Sequence, residues 1–236
     1  AVGAADTLML NAVGQTALSA TALANQVQFV LSLFFAGLTS GTGIMMAQYL
    51  GKGDTDGASR AFSQAMKLSI GVSFCFGLAA MAVPSLLMRL FTNDGQLVEI
   101  GSVYLRIVEL SYLFSSFSQV YLASLKARRK ARVSAEISVF TLLLNVCLNA
   151  VFIFGLLGVP RMGVTGVAIA TVLARFAEFV VCLAGLCRTK ELRWHWQVPA
   201  AIRSSFLKVS LPITFEGFAW GGAMAVLSAI MGRMGS

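Results

Sequence analysis

The stretch Leu142-Leu-Leu-Asn-Val-Cys-Leu-Asn-Ala-Val-Phe-Ile-Phe-Gly155 is apolar enough to sit in lipid, yet it carries Asn145 and Asn149 four residues apart. On a helix that spacing stacks both amides on one face, one turn above the other. An amide in hydrocarbon is costly unless something hydrogen-bonds it. The amides either glue helices together, as polar side chains do in many membrane bundles, or line a polar site whose oxygens hold a cation or substrate. What the rest of the chain offers them decides between these readings.

The surrounding composition is that of a membrane protein. Hydrophobic residues make up 57% of the chain and charged ones 12%, about half the charged share of a soluble domain. Seven apolar segments are legible: residues 1–13, 20–50, 61–91, 97–125, 133–157, 163–186 and 206–231. All but the first are long enough to cross a bilayer. The first begins Ala-Val-Gly-Ala-Ala-Asp, without Met, and reads as the second half of a span. No signal peptide with a cleavage site is read in these residues.

The net charge of +8 is distributed by topology. Lys52, Arg60 and Lys67 follow the second span, the run Lys126–Arg132 follows the fourth, and Arg188, Lys190, Arg193, Arg203 and Lys208 follow the sixth. The opposite loops, 92–96 and 158–162, hold one basic residue between them, Arg161. Basic loops lie in the cytoplasm, so the seventh span ends outside. Topology accounts for the Lys126–Arg132 run without nucleic acid.

Residues 188–205 form a polar linker with Trp194, His195, Trp196 and Pro199. The tryptophans suit an interfacial anchor, and Pro199 can open a short helix lying on the membrane. His195 is the lone histidine and reads as a surface residue without a partner. Cys75, Cys147, Cys182 and Cys187 read as small buried hydrophobes; their spacing suggests neither a disulfide framework nor a metal site.

Ionisable residues within spans are functional candidates. Asp6 lies in the first span. Arg106 with Glu109, and Arg175 with Glu178, have the i,i+3 spacing of local pairs. Glu136 fits a helix N-terminal carboxylate beside the basic run. Glu216 follows Pro212 by one turn, with Trp220 one turn beyond; it is either a protonatable site or a carboxylate served by loosened backbone. No phosphate-binding glycine loop, HExxH, GxSxG or paired-cysteine motif is present, and the loops are too short for an ATPase, so no enzyme is expected.

The order of these features resembles the multidrug and toxic compound extrusion (MATE) family. The carrying stretches are Asp6-Thr-Leu-Met with Val13-Gly14, Ala47-Gln-Tyr-Leu-Gly-Lys-Gly-Asp54, Asn145 to Asn149 with Phe152 to Gly155 and Val159-Pro160, Gly163 to Thr171, and Leu211-Pro212, Glu216, Trp220 with Gly232 to Gly235. The resemblance implies an all-α polytopic protein of twelve helices in two parallel six-helix lobes. Residues 1–187 would then be the N-terminal lobe, 188–205 the cytoplasmic inter-lobe linker, and 206–236 the first helix of a C-terminal lobe otherwise missing from this sequence.

The resemblance further implies a cation or proton site in the N-terminal lobe formed by Asp6, Asn145 and Asn149, with Thr171 as a fourth member. Some relatives carry Asp where Asn149 stands. One carboxylate with amide and hydroxyl oxygens suits Na⁺, and a buried Asp6 equally suits H⁺. Glu216 is a possible second coupling site. The implied function is export of small amphipathic or cationic compounds by Na⁺ or H⁺ antiport, with no other cofactor, in a bacterial inner membrane. A lipid-linked oligosaccharide or polysaccharide flippase is the alternative, kept open by Arg106 and Arg175. A non-transporting scaffold is the second, and a seven-helix receptor is suggested only by the helix count.

Overall fold

A computed structural model describes residues 14–155, 160–189 and 191–234. Among the described residues seven helices follow one another: α1 (Gln15–Gly51), α2 (Thr55–Ala82), α3 (Pro84–Arg89), α4 (Gly95–Ala127), α5 (Ala131–Phe154), α6 (Gly163–Arg188) and α7 (Ala200–Met234). Helix α1 is the expected second span, and α4 to α7 are the fourth to seventh. By length and composition α1, α2, α5 and α6 can cross a membrane. The 37 residues of α1 extend about 55 Å, well beyond the hydrocarbon thickness, so it tilts or projects.

Local chemistry sets the ends. Asp54 caps α2 by accepting from Gly57 N–H at 2.8 Å, and Asp94 caps α4 from Gln96 N–H at 2.9 Å. Helix α5 stops at Gly155, whose φ of 71° is left-handed. The expected third span is broken in two. Pro84 excludes helical conformation at the preceding residue, so Val83 turns to φ −135° and Pro84 opens α3 at its first turn.

The other departure is at α7. In place of a short interfacial helix followed by a span from residue 206, one helix runs from Ala200. Pro199 starts it, its carbonyl accepting from Arg203 N–H at 3.1 Å, and no breaker intervenes before Pro212. Phe206 then fastens it, fully buried with Leu38, Met45 and Met46 of α1 and Phe62 and Met66 of α2. Further along, Gly37 and Gly41 of α1 let α7 approach until Ser210 and Thr214 occupy the space a β-carbon would need.

Helix α4 is the hub, packed against α1, α2, α3, α5 and α6. Small residues permit this. Ser111, Ser116 and Ser124 are buried on it, each donating to a carbonyl of its own preceding turn. Below the bundle, the linker lies across the basic end as a strap. Arg193 N–H and His195 N–H donate to Ser59 Oγ and Ser63 Oγ of α2, at 3.2 and 3.0 Å. Lys67 binds the Trp196 carbonyl.

Glu191 in the strap pairs with Lys130 at 2.9 Å and Arg128 at 3.2 Å. The Lys130 hydrogen bond, aided by Arg128, holds the Glu191 carboxyl below its ordinary range. His195 is half-buried, its Nε2 3.0 Å from Asp56 Oδ1, an ion pair when the ring is protonated. The sequence offered His195 no partner, because Asp56 lies far back in the chain. Trp194 and Trp196 are exposed, as an interfacial anchor requires. Glu136 pairs with Arg132 in water at 2.8 Å.

Candidate functional site

Helix α5 is apolar outside and polar within. Its buried residues are Ser134, Ile137, Thr141, Asn145, Asn149 and Ile153, a single stripe at helical spacing. Val139, Phe140, Leu143 and Phe154 on the other faces are exposed. A helix in water would be turned the other way; this one suits a membrane, with its costly groups enclosed by protein.

The stripe faces α6, where Gly166 packs against Phe152 and brings the two helices close. Asn145 and Asn149 are fully buried and Thr171 is 2% exposed. Asn149 Nδ2 donates to Asn145 Oδ1 at 3.3 Å, and Asn145 Nδ2 donates to Thr171 Oγ1 at 3.5 Å. Both bonds are longer than the usual N–H···O distance. The three expected residues therefore come together as an uncharged ladder of oxygens and nitrogens. Uncharged oxygens can coordinate a hard monovalent cation, although a carboxylate must supply the balancing charge. Asp6, the carboxylate expected there, lies outside the described residues.

Glu216 is not part of this cluster. It is exposed on α7, between exposed Phe215 and Trp220, and among the described residues α7 touches neither α5 nor α6. Arg175 and Glu178 form the expected pair at 2.8 Å, with Glu178 almost entirely buried. Arg106 and Glu109 do not pair: Arg106 is exposed, and one oxygen of Glu109 is buried without a hydrogen-bond partner. The i,i+3 spacing permitted contact, but Arg106 turns toward the surface. Of the cysteines, only Cys182 is buried; Cys75, Cys147 and Cys187 are exposed on apolar faces. All four are free thiols.

A second polar feature was missed by the sequence reading. Gln28, Ser32 and Thr39 of α1, Tyr112 and Gln119 of α4 and Arg175 of α6 line a cleft of about 290 Å³. Its signal was present as polar residues recurring on one face of α1, with Ser115 and Gln119 one turn apart on α4. Only the packing of three helices makes these a single surface.

An all-helical bundle with apolar flanks, an interior stripe of amides and hydroxyls and one buried ion pair defines a polytopic membrane protein with a polar core. Comparison with known proteins makes the class specific. The MatE family model matches residues 1–151, and the chain belongs to that family. The Rhizobium meliloti protein described as "Probable multidrug resistance protein NorM" is 27% identical over the whole chain and 52% of its own length. "Multidrug resistance protein PmpM" of Pseudomonas aeruginosa is 26% identical over 99% of the chain and 50% of its own.

Among solved structures, the outward-facing conformation of a multidrug resistance MATE family transporter superposes with a TM-score of 0.87 at 23% identity, covering 97% of this chain and 51% of that one. A MOP superfamily transporter from Pyrococcus furiosus, described as having a binding pocket of reverse polarity, gives the same TM-score, identity and coverage. At that identity the likeness concerns the fold. The chain spans about half the length of the curated relatives it matches. Those relatives are transporters rather than enzymes.

Proposed function

We propose that this chain is the N-terminal lobe, with the first helix of the second lobe, of a secondary transporter that exports amphipathic or cationic compounds by Na⁺ or H⁺ antiport across a bacterial inner membrane. The observation that carries the reading is the fully buried, uncharged ladder Asn145–Asn149–Thr171 between α5 and α6. Two of the hydrogen bonds that join its members are long, and a small cation or a proton on a nearby carboxyl can reorder them.

In this mechanism Asp6 supplies the charge, and Asn145, Asn149 and Thr171 supply neutral oxygens. Binding from outside draws Asp6 toward the ladder and favours the state that releases the exported compound. Ion and compound oppose each other because they stabilise different conformations. The cleft lined by Gln28, Tyr112, Gln119 and Arg175 offers polar and aromatic contacts to a passing compound. Glu216, on a helix remote from the ladder, would serve a separate site in the second lobe. The flippase reading relied on both Arg106 and Arg175, and the pair with Glu178 neutralises only Arg175.

The test is reconstitution of the full-length gene product in liposomes, following ethidium under an imposed Na⁺ gradient and then a pH gradient. The reading expects movement driven by one gradient, abolished by Asp6→Asn. Gradient-driven movement that persists in Asp6→Asn would remove the ion site from this lobe.

A further inference from the structure

The charges on the outer side of the bundle are explained neither by topology nor by the ion site. Arg89 at the end of α3, and Glu99 and Arg106 of α4, line an open cleft of about 540 Å³ with Asn93, Ser102 and Val103. None of the three charged groups belongs to an ion pair among the described residues. The cleft is at the end of the bundle opposite the basic loops and the strap.

Arg106 makes this arrangement costly. It stands on an exposed stripe of α4 between Val103 and Leu110, and Leu86 and Leu90 on neighbouring α3 are also exposed. That surface is apolar enough to meet lipid. Counting from Gly95, Arg106 lies about 16 Å along α4 from its outer end. A guanidinium on so apolar a surface reaches along the cleft toward water or draws an anion to itself.

We propose that this cleft binds the head group of a phospholipid with a primary amine, phosphatidylethanolamine being the common example, from the outer leaflet. The forked donors of Arg89 and Arg106 match a phosphodiester, and Glu99 accepts from the ammonium. Two cations and one anion from the protein complement one anion and one cation from the lipid. Phosphatidylcholine satisfies only half of the pattern, since its quaternary amine has no N–H to donate. The lipid's acyl chains then cover Val103, Leu110 and Leu86.

Native mass spectrometry of the full-length protein, released from nanodiscs containing matched phosphatidylethanolamine and phosphatidylcholine, tests this. Wild type is expected to retain phosphatidylethanolamine in preference. Arg89→Gln/Arg106→Gln should reduce that retention about tenfold or more, the loss of one or two charge-assisted contacts. Glu99→Gln should erase the preference between the two lipids while leaving phosphate binding. Equal retention of both lipids by wild type, a readout needing no variant, would overturn the proposal. So would a Val103→Cys thiol, in protein whose native cysteines are replaced by alanine, shielded from a membrane-soluble maleimide after lipid is stripped, because protein and not lipid would then cover the cleft.

Discussion

Helices α4 and α5 are neighbours that meet opposite demands. Helix α5 is strongly apolar, yet only six of its 24 residues are buried, and four of those six are Ser134, Thr141, Asn145 and Asn149. Helix α4 carries serines, glutamates and an arginine, yet it is the hub, with 17 of its 33 residues buried. Hydropathy along this chain thus reports contact with lipid more than depth within the protein. A helix surrounded by other helices gains from small side chains that permit close approach, and it satisfies hydroxyls on its own backbone. A helix facing lipid must be apolar outside and can keep its polar groups only on the enclosed stripe.

The contrast can be broken in order of expected effect. Glu178→Leu would leave Arg175 charged and unpartnered in the interior, costing about 3–5 kcal/mol. Thermal unfolding of the purified protein should show the loss, and the double variant Arg175→Leu/Glu178→Leu should recover much of it. Next comes an exchange of character between the two helices. Leu143→Lys, on the lipid face of α5, should cost about 3 kcal/mol in a membrane-insertion assay. Ser116→Leu makes α4 more apolar but should still destabilise the protein, by about 1–3 kcal/mol, because the interior has no room. A stabilising Ser116→Leu would refute the account of α4.

The smallest effect is in the strap. The carboxyl of Glu191 titrates below its ordinary 4.5 because of Lys130 and Arg128. Its contribution is therefore complete above the unfolded value and lost as pH falls through the lower folded one. Glu191 is largely exposed, so Glu191→Gln should cost no more than about 1 kcal/mol at neutral pH. The difference from wild type should vanish in acid and shrink in high salt.

Much of this was legible in the sequence because the bilayer restricts the possibilities. The stripe through Asn145 and Asn149, the alternation of basic loops and the Arg175–Glu178 pair are local patterns, each within a few turns of one helix. Thr171 could be joined to the asparagines only by family resemblance, and the packing of Gly166 on Phe152 supplies the physical reason. The cleft across α1, α4 and α6 was missed because its members are dispersed along the chain and no one segment is unusual. His195 and Asp56 are a similar case. The continuous start of α7 was missed for another reason: a polar linker composition was weighed above the absence of any breaker after Pro199. The exposed cysteines were misread for a third reason, because apolar segments were equated with burial.

The most direct test of the ion site is to count cargo ions. Equilibrium binding of labelled Na⁺, and proton release in weak buffer, should be measured on the full-length protein with and without ethidium, for wild type and Asn149→Leu. The account predicts that wild type binds one of these ions and gives it up when ethidium is added, and that Asn149→Leu loses ion binding while still taking up ethidium. Unchanged ion binding in Asn149→Leu, displaced by ethidium as in wild type, would contradict a coupling site between α5 and α6.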